Sequence, residues 1–411
     1  MLGCATPKGG LRRRLMSALL RHRAASWWTS AIALSGTLDA LAQEPLGRLV
    51  GRALTASVVT DSIELVLPGP IVPLSAGGLA IADYGSLSVI LLDSTGRRTA
   101  ILGGQGRAPG QFAALDAMGT FGDTVLWVTD GNNRRLSARS LQAHRFVSSS
   151  SLDSLVSPTR GGTWAVYAIE SAGNSVLTES ISEAPSADAR RNARLLLRRS
   201  DGTSAPLGTF SWGPSALVLA NRRSLSSYQP FSDNPILGRS ADGRWVTVVQ
   251  RYANARRPVR VTRFNSTTGT ADSIEVAVPM TRLTTQSVDS AARHFATDAW
   301  QGLGYASFTA VFADVRRGLV MPTFRPAAAQ AVTNRTGSSV WLELGGTRNG
   351  QREWLEVSFE GKAVSRSVLL KSAEQIIAAD TSSLWTAVEL DSGEFVLQRH
   401  MLVPLQRSKR R

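Results

Sequence analysis

The chain has 411 residues, of which 43% are hydrophobic and 19% charged, and its formal net charge at pH 7 is +15. This composition excludes a disordered chain and a small disulfide-stapled domain, because there is ample apolar material for a large core. The single cysteine, Cys4, lies near the N-terminus. The rest of the chain therefore has no disulfide, no thiol nucleophile and no thiolate metal site.

Residues 1–42 have the three-part pattern of a secretory signal peptide. Arginines between positions 12 and 23 precede an apolar segment, and Ala40-Leu41-Ala42 supplies the small-x-small cleavage site. The apolar segment is too short and too rich in Ser, Thr and Gly to span ~30 Å of hydrocarbon, which disfavours a membrane anchor. We predict cleavage after Ala42 and a periplasmic or secreted protein that does not span the membrane. Met16 is an alternative start, and Sec and Tat export both stay open.

The charge pattern bears on the class of partner. Residues 1–42 contain six basic residues and one acidic residue, so their removal lowers the net charge to about +10. The remaining arginines are interspersed with acidic residues, which is typical of a solvated surface and not of a nucleic-acid interface. The one basic cluster is the tail, residues 405–411, interpreted as a solvated end. We expect a ligand or protein of the envelope or extracellular space as partner, and no nucleic acid.

A repeat begins at Gly78. GLAIADYGSLSVILLDSTG from Gly78 aligns with VLWVTDGNNRRLSARSLQA from Val125, so that Asp83 falls on Asp130 at an offset of 47 residues. In each copy an apolar strand ends in the Asp, a tight turn follows, and a second strand runs back. This pattern predicts a β-hairpin within one blade of a propeller.

Weaker copies predict four more hairpins and bring the total to six units. Their strand pairs are 164–169 with 194–199, 244–250 with 260–264, 340–344 with 354–359, and 384–390 with 395–401. One hairpin cannot bury its faces or protect its edges, whereas six blades around an axis do both. The sequence thus predicts an all-β, six-bladed propeller over residues 43–404. An early strand, Val58–Leu65, is expected to join the last blade and close the ring.

One segment has a different period. Val288, Ala291, Ala292 and Phe295 follow the i, i+3, i+4, i+7 spacing of an amphipathic helix. A short helix is therefore predicted within residues 281–301, inserted between blades four and five, where it could cover one end of the channel.

The segment GGQGRAPGQF, Gly103 to Phe112, could bind a phosphate or turn the chain. A phosphate loop leads from a strand into a helix whose amides face the anion. Here the chain continues through two further glycines into a β-strand, and no Gly-Lys-Ser/Thr follows. Pro109-Gly110 suits a type II turn, and Phe112 is positioned to anchor the loop. The segment is interpreted as a connection between blades.

ILGGQGRAPGQF followed by FGDTVLWVTDGNNRRLSARS resembles the secreted six-bladed β-propeller proteins of bacteria related to the NHL-repeat group. The resemblance covers roughly residues 78–140. It implies a propeller in which Asp83 and Asp130 accept hydrogen bonds from the turns after them, without a catalytic role. Ala108 and Gln111 depart from the usual pattern, so the acidic group of that loop is missing here.

No residue is assigned to catalysis or to a metal. Propellers include lactonases and lyases with a channel metal, but His144, His294 and His400 fall in different units without ligand spacing. Ca²⁺ held by oxygen ligands from several blades would leave no spacing signal. There is no Gly-x-Ser-x-Gly elbow and no recognisable Ser-His-Asp set.

Two polar or aromatic features have a binding and a structural interpretation. The turn Asn132–Arg135 could contact a ligand, yet such residues are favoured in solvated hairpin tips. Tryptophans recur in five of the units and could stack on sugar rings, although packing between blades explains them as well: Trp127, Trp164, Trp245, Trp341 and Trp385. The sequence alone assigns no ligand-binding residue.

The favoured function is a ligand- or protein-binding scaffold outside the cytoplasm, without a cofactor. The alternative is a metal-dependent lactonase or lyase with its site in the propeller channel. Three or more Asp, Glu, Asn or His side chains converging at one channel mouth would favour the enzyme.

Overall fold

The computed structural model describes residues 55–59, 65, 68–155, 164–180, 191–212, 217–219, 224–225, 229–252, 259–300, 305–348, 350–390 and 395–402. The predicted signal peptide, residues 1–42, and the basic tail, residues 405–411, lie outside the described residues.

Six four-stranded antiparallel sheets form the blades. In five of them the strands run from the axis outward in chain order, and in the sixth the first strand of the chain, β1, is the outermost. Blade one contains β2 Pro68–Pro73, β3 Leu79–Asp83, β4 Ser88–Leu92 and β5 Arg98–Gly103. Blade two contains β6 Ala117–Phe121, β7 Val125–Asp130, β8 Arg135–Ser140 and β9 Arg145–Ser151. Blade three contains β10 Trp164–Ile169, β11 Ser175–Ser180, β12 Arg191–Arg198 and β13 Ser204–Trp212. The predicted six-bladed propeller is confirmed.

The second half of the ring follows the same plan. Blade four contains β16 Ile236–Arg239, β17 Trp245–Gln250, β18 Val259–Asn265 and β19 Ala271–Val276. Blade five contains β20 Ala328–Thr333, β21 Ser339–Arg348, β22 Gln351–Ser358 and β23 Ala363–Lys371. Blade six contains β24 Glu374–Ala379, β25 Ser383–Glu389, β26 Phe395–Met401 and β1 Thr55–Val59.

The first strand closes the ring. β1 pairs antiparallel with β26, with Thr55 opposite Met401 and Val59 opposite Gln398. The closing strand therefore starts and ends earlier than the predicted Val58–Leu65, and Leu65 instead belongs to the apolar core between blades six and one. Joining the two ends of the chain in one sheet covers an edge that would otherwise be open.

One strand pairing differs from the sequence prediction. β10, at 164–169, pairs with β11 and not with the strand near 194–199, which is the third strand of the blade. Four of the six residues of β11, SVLTES, are polar, so the strand lacks a long apolar run. Apolar runs in the sequence therefore do not reveal this strand.

The core consists of separate apolar layers between neighbouring blades. For example, Val89 and Leu91 of blade one pack with Leu126 and Val128 of blade two. Similar clusters join blades three and four, four and five, five and six, and six and one. Because both faces of each sheet are covered, the central strands are buried on both sides; every residue of β3 and β4 is buried.

Two helices lie between β19 and β20, in the connection from blade four to blade five. α1, Thr285–Ala299, confirms the predicted insertion, and α2, Phe308–Gly318, is an additional helix. The side chains of Thr284 and Ser307 cap the two N-termini by accepting from the amides of Ser287 and Ala310, both at 3.2 Å. No helix among the described residues is long and apolar enough to cross a membrane.

The helices have an apolar cluster of their own, separate from the layers between blades. It contains residues of both helices and of the connection from blade three to blade four: Leu219, Phe231, Val288, Ala291, Ala292, Ala296, Val311, Val315 and Leu319. That connection includes the short strands β14 Leu217–Val218 and β15 Ser224–Leu225. Two inter-blade connections thus form one additional structural layer on the propeller.

Candidate binding site

The six first strands surround a central channel. β2 contacts β6 and β24, β6 contacts β10, and β20 contacts β16 and β24. Residues of β2, β16 and β20 are mostly half-buried, whereas those of β6 and β24 are mostly buried. The channel wall is therefore partly accessible and mainly apolar.

Backbone hydrogen bonds link four blades at one end of this channel, where each first strand turns into the second. The amide of Thr120 in blade two donates to the carbonyl of Ala241 in blade four, at 2.7 Å. The amide of Ala241 donates to Arg335 in blade five at 2.9 Å, and that of Arg335 donates to Ala379 in blade six at 2.8 Å. A Cβ on Gly119 would lie only 2.8 Å from the Ala241 carbonyl oxygen, so this approach requires glycine.

Ion pairs cross the axis at the same end. Arg335 lies 3.3 Å from Asp380 of the adjacent blade and 3.6 Å from Asp123. Asp123 belongs to blade two, which is opposite blade five in a six-membered ring. We call this arrangement of Thr120, Asp123, Ala241, Arg335 and Asp380 the closed end of the channel.

Arg239 lies directly inside the closed end, as the last residue of β16. Its guanidinium donates to the carbonyl of Tyr167 in blade three at 2.5 Å and to that of Met118 in blade two at 2.6 Å. It also lies over the rings of Trp127 and Tyr167, 5.6 and 5.3 Å from their centroids. These contacts join three blades, and ring faces stabilise a cation that has lost part of its water. We call Arg239 and Tyr167 the channel floor.

The channel floor presents hydrogen-bond donors that keep their protons. Burial lowers the pKa of Arg239, which the neighbouring Tyr167 and Tyr84 partly oppose, but a guanidinium stays charged at neutral pH. Burial raises the pKa of Tyr167 to about 12, so its phenol stays protonated. Tyr84 comes from the turn after β3, and a Cβ on Gly69 of β2 would touch its ring at 2.8 Å.

The glycine-rich segment connects blades and does not form a phosphate loop. Its carbonyls face arginine and asparagine donors: Arg135 donates to Arg107 and Gln111, Asn133 to Gly106, and Arg139 to Gly110. Phe112 is completely buried, and the amide of Gly106 donates to its carbonyl. A phosphate site would need amides pointing outward, whereas this segment directs its carbonyls at cationic side chains.

The two aspartates of the repeat hold turns, as expected. Asp83 accepts from the Gly85 amide at 3.1 Å and from the Ser86 hydroxyl at 2.6 Å. Asp130 accepts from the amides of Ala113, Ala114 and Asn133 and from the Asn133 side chain. It therefore fixes both its own turn and the end of the glycine-rich segment.

The turn Asn132–Arg135 is structural for the same reason. Asn132 and Asn133 donate to carbonyls of the preceding connection, and Arg135 reaches over the glycine-rich segment. Arg134 has a φ of 50° and forms an exposed ion pair with Asp153. Bracing of the loop, which the sequence could not show, accounts for this polar turn.

The three histidines lie in different parts of the fold and do not form a common site. His144 is exposed in a turn with φ of 50°, and His294 is exposed on α1. His400 is buried in blade six, where its Nε2 lies 3.0 Å from Glu374 Oε1 and 2.9 Å from the Thr386 hydroxyl. The described residues contain no group of three or more His, Cys, Asp or Glu side chains that could hold a metal.

Among the recurring tryptophans, those with described contacts pack between blades. Trp127, Trp341 and Trp385 are almost completely buried. The Trp385 indole donates to the carbonyl of Gly77 in blade one at 3.1 Å, and a Cβ on Gly337 of blade five would touch the Trp245 ring at 2.6 Å. The side chain of Trp164 lies outside the described residues. Burial of Trp127, Trp341 and Trp385 in these layers leaves none of their ring faces for a sugar.

Blade five contains a buried ion pair that the sequence did not single out. Arg352 Nη1 lies 3.2 and 3.4 Å from the two oxygens of Glu343, and both side chains are buried. Burial raises the pKa of Glu343 to about 7, although Arg352 opposes this shift. The carboxyl therefore titrates near neutral pH in the folded state.

Glu343→Gln is expected to flatten the pH dependence of stability. The folded-state pKa is raised above its ordinary value of 4.5, so the proton stabilises the fold. This stability is fully present below about pH 4.5 and is lost as the pH rises through about 7, a change on the order of 3 kcal/mol. Urea unfolding between pH 5 and 8 should show this fall in the wild type and not in the variant. Parallel curves would contradict the prediction, and Glu275→Gln at an exposed ion pair is the control.

No family model matches the chain, and no curated protein matches it. Several solved structures are similar to the chain at low identity. A candidate exported protein of Bacteroides fragilis has 9% identity and a TM-score of 0.42, and the match covers 85% of this chain and 95% of that one. A DUF4221 family member of Bacteroides vulgatus has 8% identity and a TM-score of 0.48, covering 85% and 97%. A PQQ-bound aldose sugar dehydrogenase of Streptomyces coelicolor has 12% identity and a TM-score of 0.38, covering 85% and 98%.

The sheet topology of the chain itself shows that it is a six-bladed β-propeller. The likeness to the NHL-repeat group stays a prediction. The residues of the channel floor were not found from the sequence: Arg239 is one arginine among many, in the short strand ILGR, and no motif marks it.

Proposed function

We propose that this chain is a binding scaffold that acts outside the cytoplasm and recognises a ligand or protein of the cell envelope without catalysis. The chemistry of the channel floor is the observation that supports this most directly. Arg239 keeps its charge and Tyr167 keeps its proton at neutral pH, so they can hold a ligand but cannot accept a proton from it.

The roles of the other polar residues agree with this proposal. Asp130 and Asn133 are used to fix turns, and His400 is buried against Glu374 and Thr386. A general base must reach the proton that it removes, and none of these side chains extends into the channel floor. Export is supported by the three-part pattern of residues 1–42.

The test is expression of the full chain, with its N-terminal segment, in a bacterial host, followed by purification without chelator. We expect the protein in the periplasmic or secreted fraction with Gln43 as its first residue, no stoichiometric metal, and a melting temperature that EDTA does not change. Passing an envelope extract over the immobilised protein should retain at least one component that a heat-unfolded sample does not retain.

Three outcomes would contradict the proposal. Uncleaved protein in the cytoplasm would exclude the assigned location, and failure to retain any envelope component would exclude the scaffold role. Stoichiometric metal together with a melting temperature that falls on chelation would favour the alternative, a metal-dependent lactonase or lyase, because a bound metal stabilises the folded state. A screen of lactone hydrolysis and lyase activity would follow.

A further inference from the structure

We infer that the channel floor, Arg239 and Tyr167, binds an oxyanion: a carboxylate or phosphate group of the ligand. This inference deepens the proposed function and rests on it. The channel wall explains why an anion is favoured. Among the six first strands the only charged residues are Arg239 and Glu374. Glu374 is the first residue of β24 and is held by His400 and Thr386, whereas Arg239 is the last residue of β16, at the closed end.

Arg239 has no carboxylate partner among the residues that the structure describes. Its contacts are two backbone carbonyls and two aromatic rings. By contrast, Arg335 one layer away is paired with Asp123 and Asp380. A cation removed from water is costly unless it is paired, and an incoming anion would supply that pairing.

Access distinguishes Arg239 from two buried arginines that also bond to carbonyls. Arg139 and Arg251 also donate to backbone carbonyls, but they are only 4% and 3% exposed. Arg239 is half-buried, at the end of a first strand of the channel wall. A guanidinium has five N–H donors in a planar fork that suits the oxygens of a carboxylate or phosphate, and the carbonyls of Tyr167 and Met118 occupy only two of them.

Tyr167 adds a neutral donor beside this cation. Its ring lies 5.3 Å from the guanidinium carbon, and the residue is half-buried. A protonated phenol donates to an anion without repelling it. The hydrogen bonds and ion pairs of the closed end lie on one side of Arg239 and Tyr167, so the ligand would approach them from the other side.

The test is titration of the purified full-length chain with inorganic phosphate and with sodium acetate by isothermal calorimetry. Chloride at matched ionic strength is the reference for general salt effects. We expect saturable binding of at least one of the two anions at about one site per chain. Arg239→Met should abolish saturable binding, and Tyr167→Phe should raise the Kd about tenfold, since one donor to a charged group is lost.

Two further variants keep the result interpretable. Arg244→Met removes the same charge from an exposed position of the same blade, and its Kd should stay within about twofold of the wild type. Arg239→Lys keeps the charge but loses the planar fork, so it should bind several-fold more weakly even if Arg239→Met fails to fold. A lower Kd for phosphate than for acetate would indicate that the ligand group is a phosphate. A lower Kd for acetate would indicate a carboxylate.

Absence of saturable binding of both anions to the wild type would overturn the inference. So would an unchanged Kd in Tyr167→Phe together with an unchanged Kd in Arg239→Lys or Arg239→Met, because the anion would then bind elsewhere. An equal loss in Arg244→Met would show that binding reflects net charge alone. Retention of an envelope component is measured separately and does not require binding of free phosphate or acetate, so failure of this inference is distinguishable from failure of the scaffold proposal.

Discussion

Asp130→Ala is expected to lower the free energy of unfolding by about 3–5 kcal/mol. The carboxylate is completely buried and accepts four hydrogen bonds, at 2.9, 3.0, 3.0 and 2.7 Å. Three of the donors are backbone amides, of Ala113, Ala114 and Asn133, which would be left without a partner. Chemical unfolding monitored by tryptophan fluorescence would measure the loss.

The control for this prediction is Asp93→Ala. Asp93 also accepts three hydrogen bonds in a turn, from the amides of Thr95 and Arg97 and the hydroxyl of Thr95, but this turn is exposed to water. Water can replace the lost acceptor there, so a much smaller effect is expected. Equal losses in the two variants would show that burial of Asp130 and its link to the glycine-rich segment add nothing.

Arg352→Met is expected to destabilise the protein by about 3–5 kcal/mol at pH 8 and by less at pH 5. The substitution leaves Glu343 buried without its cation, and at pH 8 a carboxyl whose pKa is raised to about 7 must ionise or retain its proton at a cost. At pH 5 the carboxyl is protonated, so less is lost. Urea unfolding at the two pH values would separate these contributions.

A double-mutant cycle provides the control. Glu343→Leu combined with Arg352→Met removes both charges, and most of the lost stability should return, because an apolar pair of similar volume has no desolvation penalty. Arg260→Met at the exposed pair with Glu275 should have a much smaller effect. A double variant as unstable as Arg352→Met alone would show that packing, and not the unpaired charge, is responsible.

Local features were predictable because they depend on residues close in sequence. The hairpins around Asp83 and Asp130 follow from alternating apolar residues and turn-forming residues, and the structure has both. The first helix was predicted from its 3.6-residue spacing. The second helix was missed although Phe308, Val311, Phe312 and Val315 follow the same spacing, so the signal was present in the sequence.

A recurring turn is also visible in the sequence, although the strand predictions did not depend on it. In blades one, three, four and five, the turn from the first to the second strand ends in a glycine with φ between 70° and 86°, whose amide donates to the residue three positions earlier: Gly77, Gly173, Gly243 and Gly337. The segments LSAG, ESAG, SADG and NRTG share little besides that glycine. The turn Glu170–Gly173 itself marks the start of the missing strand β11, which begins two residues after Gly173.

By itself the sequence determined the all-β class, the number of blades and the structural role of the glycine-rich segment, because strand pairing within a blade joins neighbouring segments whose periodicity is visible. Only the tertiary structure decided what faces the axis. Arg239 meets the carbonyls of Tyr167 and Met118, which are 72 and 121 residues away, and Asp123 meets Arg335 from the opposite blade. Such contacts depend on the closure of the ring, which brings distant first strands together, and no local pattern of residues encodes them.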